Sequence, residues 1–208
     1  MKTQTNGFLH GLPLVALAVL GGPGAALAKG PPEDPHAHCA AHARSSSGRS
    51  TAKYQVPDLG LVRSDGAPVN LRRELDDGQP VILNFIFTTC AAICPVMSQT
   101  FAQIQRRLGE AHHRVHLISV SIDPEQDTPA RLRAYAKKFD AGPEWSFYTG
   151  TVEASISAQR AFDAYRGDKM NHVPVTFLRA APGEPWVRLE GFAKADDVIA
   201  EVHKLLGE

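Results

Sequence analysis

The run PVILNFIF, Pro80 to Phe87, constrains this chain more than any other stretch, because it is almost wholly β-branched, leucine or aromatic and lacks polar–apolar alternation. Such a strand suits burial on both faces of a sheet, since a strand with one wet face alternates. Covering both faces takes helices, and the sequence offers them in alternation with further strands. Behind Pro95, the residues Val96, Phe101, Ile104 and Leu108 keep helical spacing up to Gly109. VHLISVSI, Val115 to Ile122, reads as a second buried strand. A helix capped by Asp127 or Thr128 follows, with Pro129 in its first turn, Leu132, Tyr135, Ala136 and Phe139 on one face, and Lys137 and Lys138 near its end. Trp145 to Tyr148 is a short strand and Thr151 to Tyr165 a third helix. Val173 to Leu178 and Val187 to Leu189 form a hairpin, and Ala195 to Leu206 is a closing amphipathic helix.

Ahead of the central run, short extended pieces flank the turn signal Ser64-Asp65-Gly66, and Leu71 to Leu75 makes one helical turn. The expected class is therefore α/β, with a central mixed β-sheet flanked by helices and N-terminal extended strands. The order of elements is that of a thioredoxin-like fold with an added helix.

The first 28 residues carry Lys2, an apolar stretch from Phe8 to Leu20, and an A-x-A pattern at Ala26 to Ala28. They read as a secretory signal peptide cleaved after Ala28, with a membrane anchor facing the periplasm as the alternative. The apolar stretch falls short of the roughly 20 residues a span needs, and Ala37-His38 before Cys39 does not suit a lipidation site. Residues 29–52 are rich in His, Pro and Ser, lack branched apolar side chains, and are expected to be a flexible tether to a domain spanning 53–208. The mature chain is expected in the periplasm with no membrane span. With 22 basic and 22 acidic residues and no basic cluster or aromatic platform, nucleic acid is excluded as an expected partner.

Three cysteines are too few for a disulfide-dense scaffold, so their use is expected to be chemical. The stretch TTCAAICP places Cys90 and Cys94 at a strand-to-helix turn. If the helix begins near Cys90, both sulfurs lie on one face, one turn apart, and can point at a common centre. A helix N-terminus favours thiolate, and Pro95 costs nothing in a first turn. A disulfide staple, a redox pair and a metal clamp are all open to this pair. A third ligand candidate is His172, placed just before a strand at a loop end that faces the cysteine turn in thioredoxin-like folds. His112, His113 and His116 read as surface or dipole-compensating residues near a helix C-terminus. Asp123 and Asp127 read as turn and cap residues, and Met97 and Met170 as filler rather than ligands. His36, His38, Cys39 and His42, in HAHCAAHA, are a dense set of soft and borderline donors that predicts a weak second metal site.

FTTCAAICP followed by SVSIDPEQDTP and a later histidine resembles the Sco/SenC family of copper proteins, over about Tyr54 to Leu206. The family's C-x-x-x-C-P turn, D-P-x-x-D-T-P segment and distant histidine are met by Cys90, Cys94 and Pro95, by Asp123, Pro124, Asp127, Thr128 and Pro129, and by His172. The resemblance implies a thioredoxin-like fold and one copper ion, Cu(I) or Cu(II), held by Cys90, Cys94 and His172. It also implies a metallochaperone role at the dinuclear copper site of cytochrome c oxidase. The expected partners are that copper-site subunit or another copper-receiving apoprotein, and other exported copper chaperones. The sequence departs from the family in carrying Asn171 where Asp often precedes the histidine. VPVTFL also resembles the thioredoxin strand, which raises a cis Pro174. The alternative function is an exported thiol-disulfide oxidoreductase using the redox-active Cys90/Cys94 pair, with a disulfide bond in its cycle. A peroxidase fits less well, because Phe87, Thr88 and Thr89 precede Cys90 where a peroxiredoxin has Thr three residues ahead.

Overall fold

The computed structural model describes residues 48–108 and 114–207. Eight strands form one sheet: β1 (Arg49–Ala52), β2 (Gly60–Arg63), β3 (Pro68–Asn70), β4 (Val81–Ile86), β5 (His116–Ser121), β6 (Trp145–Thr149), β7 (Val175–Arg179) and β8 (Trp186–Glu190). Their spatial order is β1-β8-β7-β4-β5-β6-β2-β3. Strands β4, β5 and β6 run parallel, while β7 is antiparallel to β4 and the outer pairs are antiparallel. Helices α1 (Leu71–Leu75), α2 (Ile93–Arg107), α3 (Pro129–Lys138), α4 (Val152–Ala161) and α5 (Ala195–Leu206) complete the described residues.

Every residue of β4 is buried, and its side chains divide between two cores as the period of two requires. Ile82 and Ile86 pack under α2, α3 and α5 with Phe101, Leu132, Leu178 and Val198. Val81, Leu83 and Phe85 pack on the opposite face with Leu71, Leu75, Ala158 and Phe162 of the α1 and α4 side. That second core is aromatic: Phe162 lies 5.0 Å from both Phe177 and Trp186, and Phe85 is edge-on to Phe177 at 6.2 Å. Asn84, on the α2 face, accepts from Ser119 Oγ at 2.7 Å, and Trp145 Nε1 donates to the same hydroxyl at 2.9 Å. A polar side chain in the central strand is thus tied to its neighbours instead of breaking the apolar pattern.

The structure moves three expectations. The sheet takes in residues ahead of Lys53, because β1 pairs with β8 from Arg49 opposite Leu189 to Ala52 opposite Trp186. The side chains of β1 are largely exposed, so composition could not reveal it; the pairing uses backbone groups, helped by an Arg49–Glu201 ion pair at 2.9 Å. Second, α4 ends at Ala161, short of Tyr165, where Asp163 turns the chain at φ 50°. Third, His116, in the expected strand β5, compensates no helix dipole: its ring is held between Asp77 at 3.1 Å and Ser146 at 3.2 Å. His112 and His113 lie outside the described residues, as do the signal segment and His36, His38, Cys39 and His42. No helix among the described residues is long and apolar enough to cross a membrane.

Because β7 is antiparallel to β4, the start of β7 lies beside the end of β4. The turn that leaves β4 carries Cys90 and Cys94, and the turn that enters β7 carries His172. Sheet topology alone brings together segments some eighty residues apart.

Candidate metal centre

Helix α2 starts at Ile93, three residues later than a helix that would hold both cysteines, and this changes how the sulfurs are arranged. Ala92 occupies the N-cap and has no side chain that can accept from the first free N–H groups. Cys90 Sγ takes that place, accepting from the Cys94 amide at 3.4 Å. Its thiol is lowered to about 5, first by the hydrogen bond from the Cys94 thiol and then by the amides of Cys94, Ala92 and Ile93. At neutral pH the half-buried Cys90 is therefore a thiolate capping a helix. Cys94, fully buried, is pushed up by burial and then by its hydrogen bond to Cys90, while its own sulfur accepts from the Phe87 amide at 3.4 Å. The reduced pair holds one proton, on the inner sulfur.

His172 closes the 3₁₀ turn Lys169–Asn171 and is 3% exposed. Its Nε2 is buried without a hydrogen-bond partner, and the other ring nitrogen donates to the Phe85 carbonyl. Burial, and to a lesser degree Arg166, lowers this imidazole to about 4, so it is neutral across the physiological range. A neutral imidazole with one nitrogen anchored on a backbone carbonyl and the other left over has the form of a metal ligand. The orienting group is Phe85, not Asn171, which is exposed. Among the described residues no peptide bond is cis, so Pro174 is trans and the thioredoxin-like variant of this loop is not adopted.

Cys90 and His172 line one apolar cavity of about 230 Å³, shared with Phe87, Ala91, Ile93 and Met170. Cys94 is fully buried and accepts from the amide of Phe87, itself a lining residue. Among the described residues no three His, Cys, Asp or Glu side chains stand close enough to hold an ion as they are. Of the three donors expected at a common centre, Cys90 and His172 share this cavity and Cys94 does not line it. The donor set itself, two soft sulfurs and one imidazole, suits Cu(I). Met97 is core, packed with Ile93, whereas Met170 is exposed at the cavity rim.

The two aspartates do more than turn and cap. Thr128, not Asp127, caps α3 by accepting from Arg131 N. Asp127 is fully buried and accepts from Thr88 N at 3.1 Å, Thr88 Oγ1 at 2.5 Å and Ser121 Oγ at 2.6 Å. It thereby fixes the residue two before Cys90. Asp123 receives Lys169 Nζ at 2.6 Å, and its own amide donates to Ser121 Oγ at 3.0 Å. A chain of hydrogen bonds thus runs from the histidine turn through Asp123, Ser121 and Asp127 to the cysteine turn. Sequence reading missed it, although a buried-strand serine followed by two aspartates was a visible signal.

The family model described as SCO1/SenC matches residues 49–207. The chain belongs to the SCO1/SenC family. A SCO1 protein homolog of Bacillus subtilis is 30% identical over 159 residues, covering 72% of this chain and 81% of that protein. Arabidopsis thaliana ScoI, solved with copper bound, is similar at 27% identity and a TM-score of 0.60, covering 73% of this chain and 97% of that one. BsSco, a member of the Sco family of cytochrome c oxidase assembly proteins in which a disulfide switch is identified, is 28% identical with a TM-score of 0.64, over 75% and 95% of the two chains. The SCO1/SenC match opens at Arg49, the first residue of β1. The fold is the thioredoxin-like one of these Sco structures.

Proposed function

We propose that this protein is an exported copper metallochaperone in which Cys90, Cys94 and His172 hold one copper ion and release it to the dinuclear copper site of cytochrome c oxidase during assembly. The observation that carries the reading is the buried, unpartnered Nε2 of a neutral His172 in the same cavity as the Cys90 thiolate. A buried nitrogen without a partner is costly unless something fills the vacancy in its bonding. The copper-bound Arabidopsis relative and the assembly role named for BsSco support the same assignment. Two thiolates and one imidazole leave room for an incoming ligand, so the cargo can leave by stepwise exchange. Binding requires Cys94 to give up its proton, and affinity should weaken as pH falls.

A second reading, thiol-disulfide oxidoreductase, is favoured by the asymmetry of the pair, with a reactive outer thiolate and a protonated inner thiol. Anaerobic Cu(I) titration of the reduced protein beside a His172→Ala variant separates the two. The chaperone reading expects one tightly held ion in the domain site. It also expects the variant to lose more than the roughly 10- to 100-fold typical of a removed outer partner. Unchanged affinity would sink the three-ligand site and leave the redox reading standing. No uptake by the wild type would end the chaperone reading.

A further inference from the structure

The residues lining the domain cavity include three that carry a soft or borderline donor: Cys90, His172 and Met170. The other polar groups on the wall do not compete for a soft ion. Thr89 offers a hard hydroxyl, and Lys169 Nζ is engaged by Asp123 Oδ2 at 2.6 Å. Cys94 is not on the wall, so the second sulfur beside the Cys90 thiolate and the unpartnered His172 Nε2 is the Met170 thioether. Among the described residues the large apolar side chains left exposed are Val96, Val152 and Met170, and of these Met170 alone lines this cavity. Its backbone is held in place. The Asp168 carboxylate accepts from Met170 N at 2.8 Å, His172 N donates to the Lys169 carbonyl at 3.1 Å, and Lys169 is tied to Asp123. The turn is thus fixed, while the unbranched methionine side chain keeps the freedom to adjust its sulfur to an ion.

Charge favours the same set. Cu(I) bound by one thiolate, a neutral imidazole and an uncharged thioether has no net charge, and a neutral centre costs less to place among apolar side chains than an ionic one. With a second thiolate in place of the thioether, the centre becomes an anion. Two sulfurs and one imidazole are also a soft set. We infer that Met170 is a copper ligand, forming with Cys90 and His172 the loading complex that receives Cu(I) before Cys94 joins. The inference rests on the copper reading above and names the residue through which the ion enters. Passage to the set of Cys90, Cys94 and His172 is ligand exchange without redox change. The bond from the Met170 sulfur to copper breaks, the bond from the Cys94 sulfur forms, and the Cys94 proton passes to solvent. A thioether suits this step, because it leaves the ion without having to take up a proton. By residue type alone a methionine at a turn reads as filler; its place on the cavity wall makes it a donor.

The test uses the full chain, reduced and anaerobic, taking Cu(I) from a chromogenic chelator, with methionine labelled at the methyl carbon for NMR. A Cys94→Ala chain traps the loading complex. There the Met170 methyl signal, assigned by its loss in Met170→Leu, is expected to shift as Cu(I) is added, while the signal of the core residue Met97 stays. Adding Met170→Leu to Cys94→Ala is expected to weaken Cu(I) binding by roughly tenfold or more. In the chain that keeps Cys94, Met170→Leu is expected to slow loading and leave the final affinity unchanged; leucine conserves the volume of this exposed side chain, so folding is spared. An unmoved Met170 methyl with copper bound, equal affinity of the two Cys94→Ala chains, or equal loading rates with Cys94 present overturns the inference. No Cu(I) uptake by the wild type removes the copper reading and the inference together, whereas ordinary uptake with Met170 silent removes the inference alone.

Discussion

Three side chains, Cys90, Cys94 and His172, are each set by their surroundings more than by their own chemistry, Cys90 by hydrogen bonds and the other two by burial. The pair Cys90 and Cys94 is chemically symmetric in sequence, but one sulfur caps α2 and the other lies under β4's end, so their acidities part in opposite directions. Iodoacetamide at pH 7 should therefore alkylate Cys90 and spare Cys94, and the rate should fall to half near pH 5; equal labelling of both cysteines in the peptide masses would contradict the asymmetry. His172 makes the second prediction. Its folded value of about 4 lies below the 6.5 of the free side chain, so between those limits the unfolded chain binds more protons than the folded one. Stability is at its full level above pH 6.5 and falls as pH drops through about 4, by about 3 kcal/mol in all. Urea unfolding across pH 7 to 4 should show this acid limb in the wild type and a shallower one in His172→Asn; identical slopes would refute it.

At the scale of elements, the turn that carries the cysteines is held by a buried acid. Asp127 sits just before α3, yet its carboxylate serves the cysteine turn through Thr88 and strand β5 through Ser121. Removing it orphans an amide and two hydroxyls in the interior, each costing about 1–3 kcal/mol if no other partner is found. Asp127→Ala should lose about 3 kcal/mol by urea unfolding, and Asp127→Asn should fall between it and the wild type, since an amide still accepts. A loss under about 1 kcal/mol would show that water or local repacking replaces the carboxylate. This element-level wiring explains why part of the site escaped sequence reading. The spacing of Asp123 and Asp127 suggested a turn and a cap, and local hydrogen-bond propensity says nothing of a partner 39 residues upstream. The expected helix start at Cys90 failed for a related reason. Periodicity finds the apolar face from Phe101 onward, but where the first turn begins is settled by Cys90's sulfur accepting from the Cys94 amide.

The molecule as a whole places its site where the parallel strands end and the antiparallel β7 begins, a common position for ligands in open α/β sheets. The far edge matters as well. Strand β1 covers β8, so a chain starting at Lys53 exposes the β8 ladder and leaves the buried Glu201 with Lys204 as its remaining ion-pair partner. Such a chain should be about 2 kcal/mol less stable in urea and should self-associate through the new edge. Light scattering that stays monomeric with an unchanged urea midpoint would show that β1 is dispensable. The central run, the alternation of strands and helices, the hairpin and the closing helix were all legible in the sequence, because hydrophobic period and turn residues are local signals that survive without three-dimensional context. So was the placing of Cys90 and Cys94 at the entry to one helix and of His172 before a strand, since each stands at a conspicuous turn. What the tertiary structure alone decided was β1, made of backbone pairing with exposed side chains, together with the unequal protonation of two like cysteines and the wiring through Asp127. Each depends on what lies across the sheet or beneath the turn, and burial and long-range hydrogen bonds leave no periodic trace along the chain.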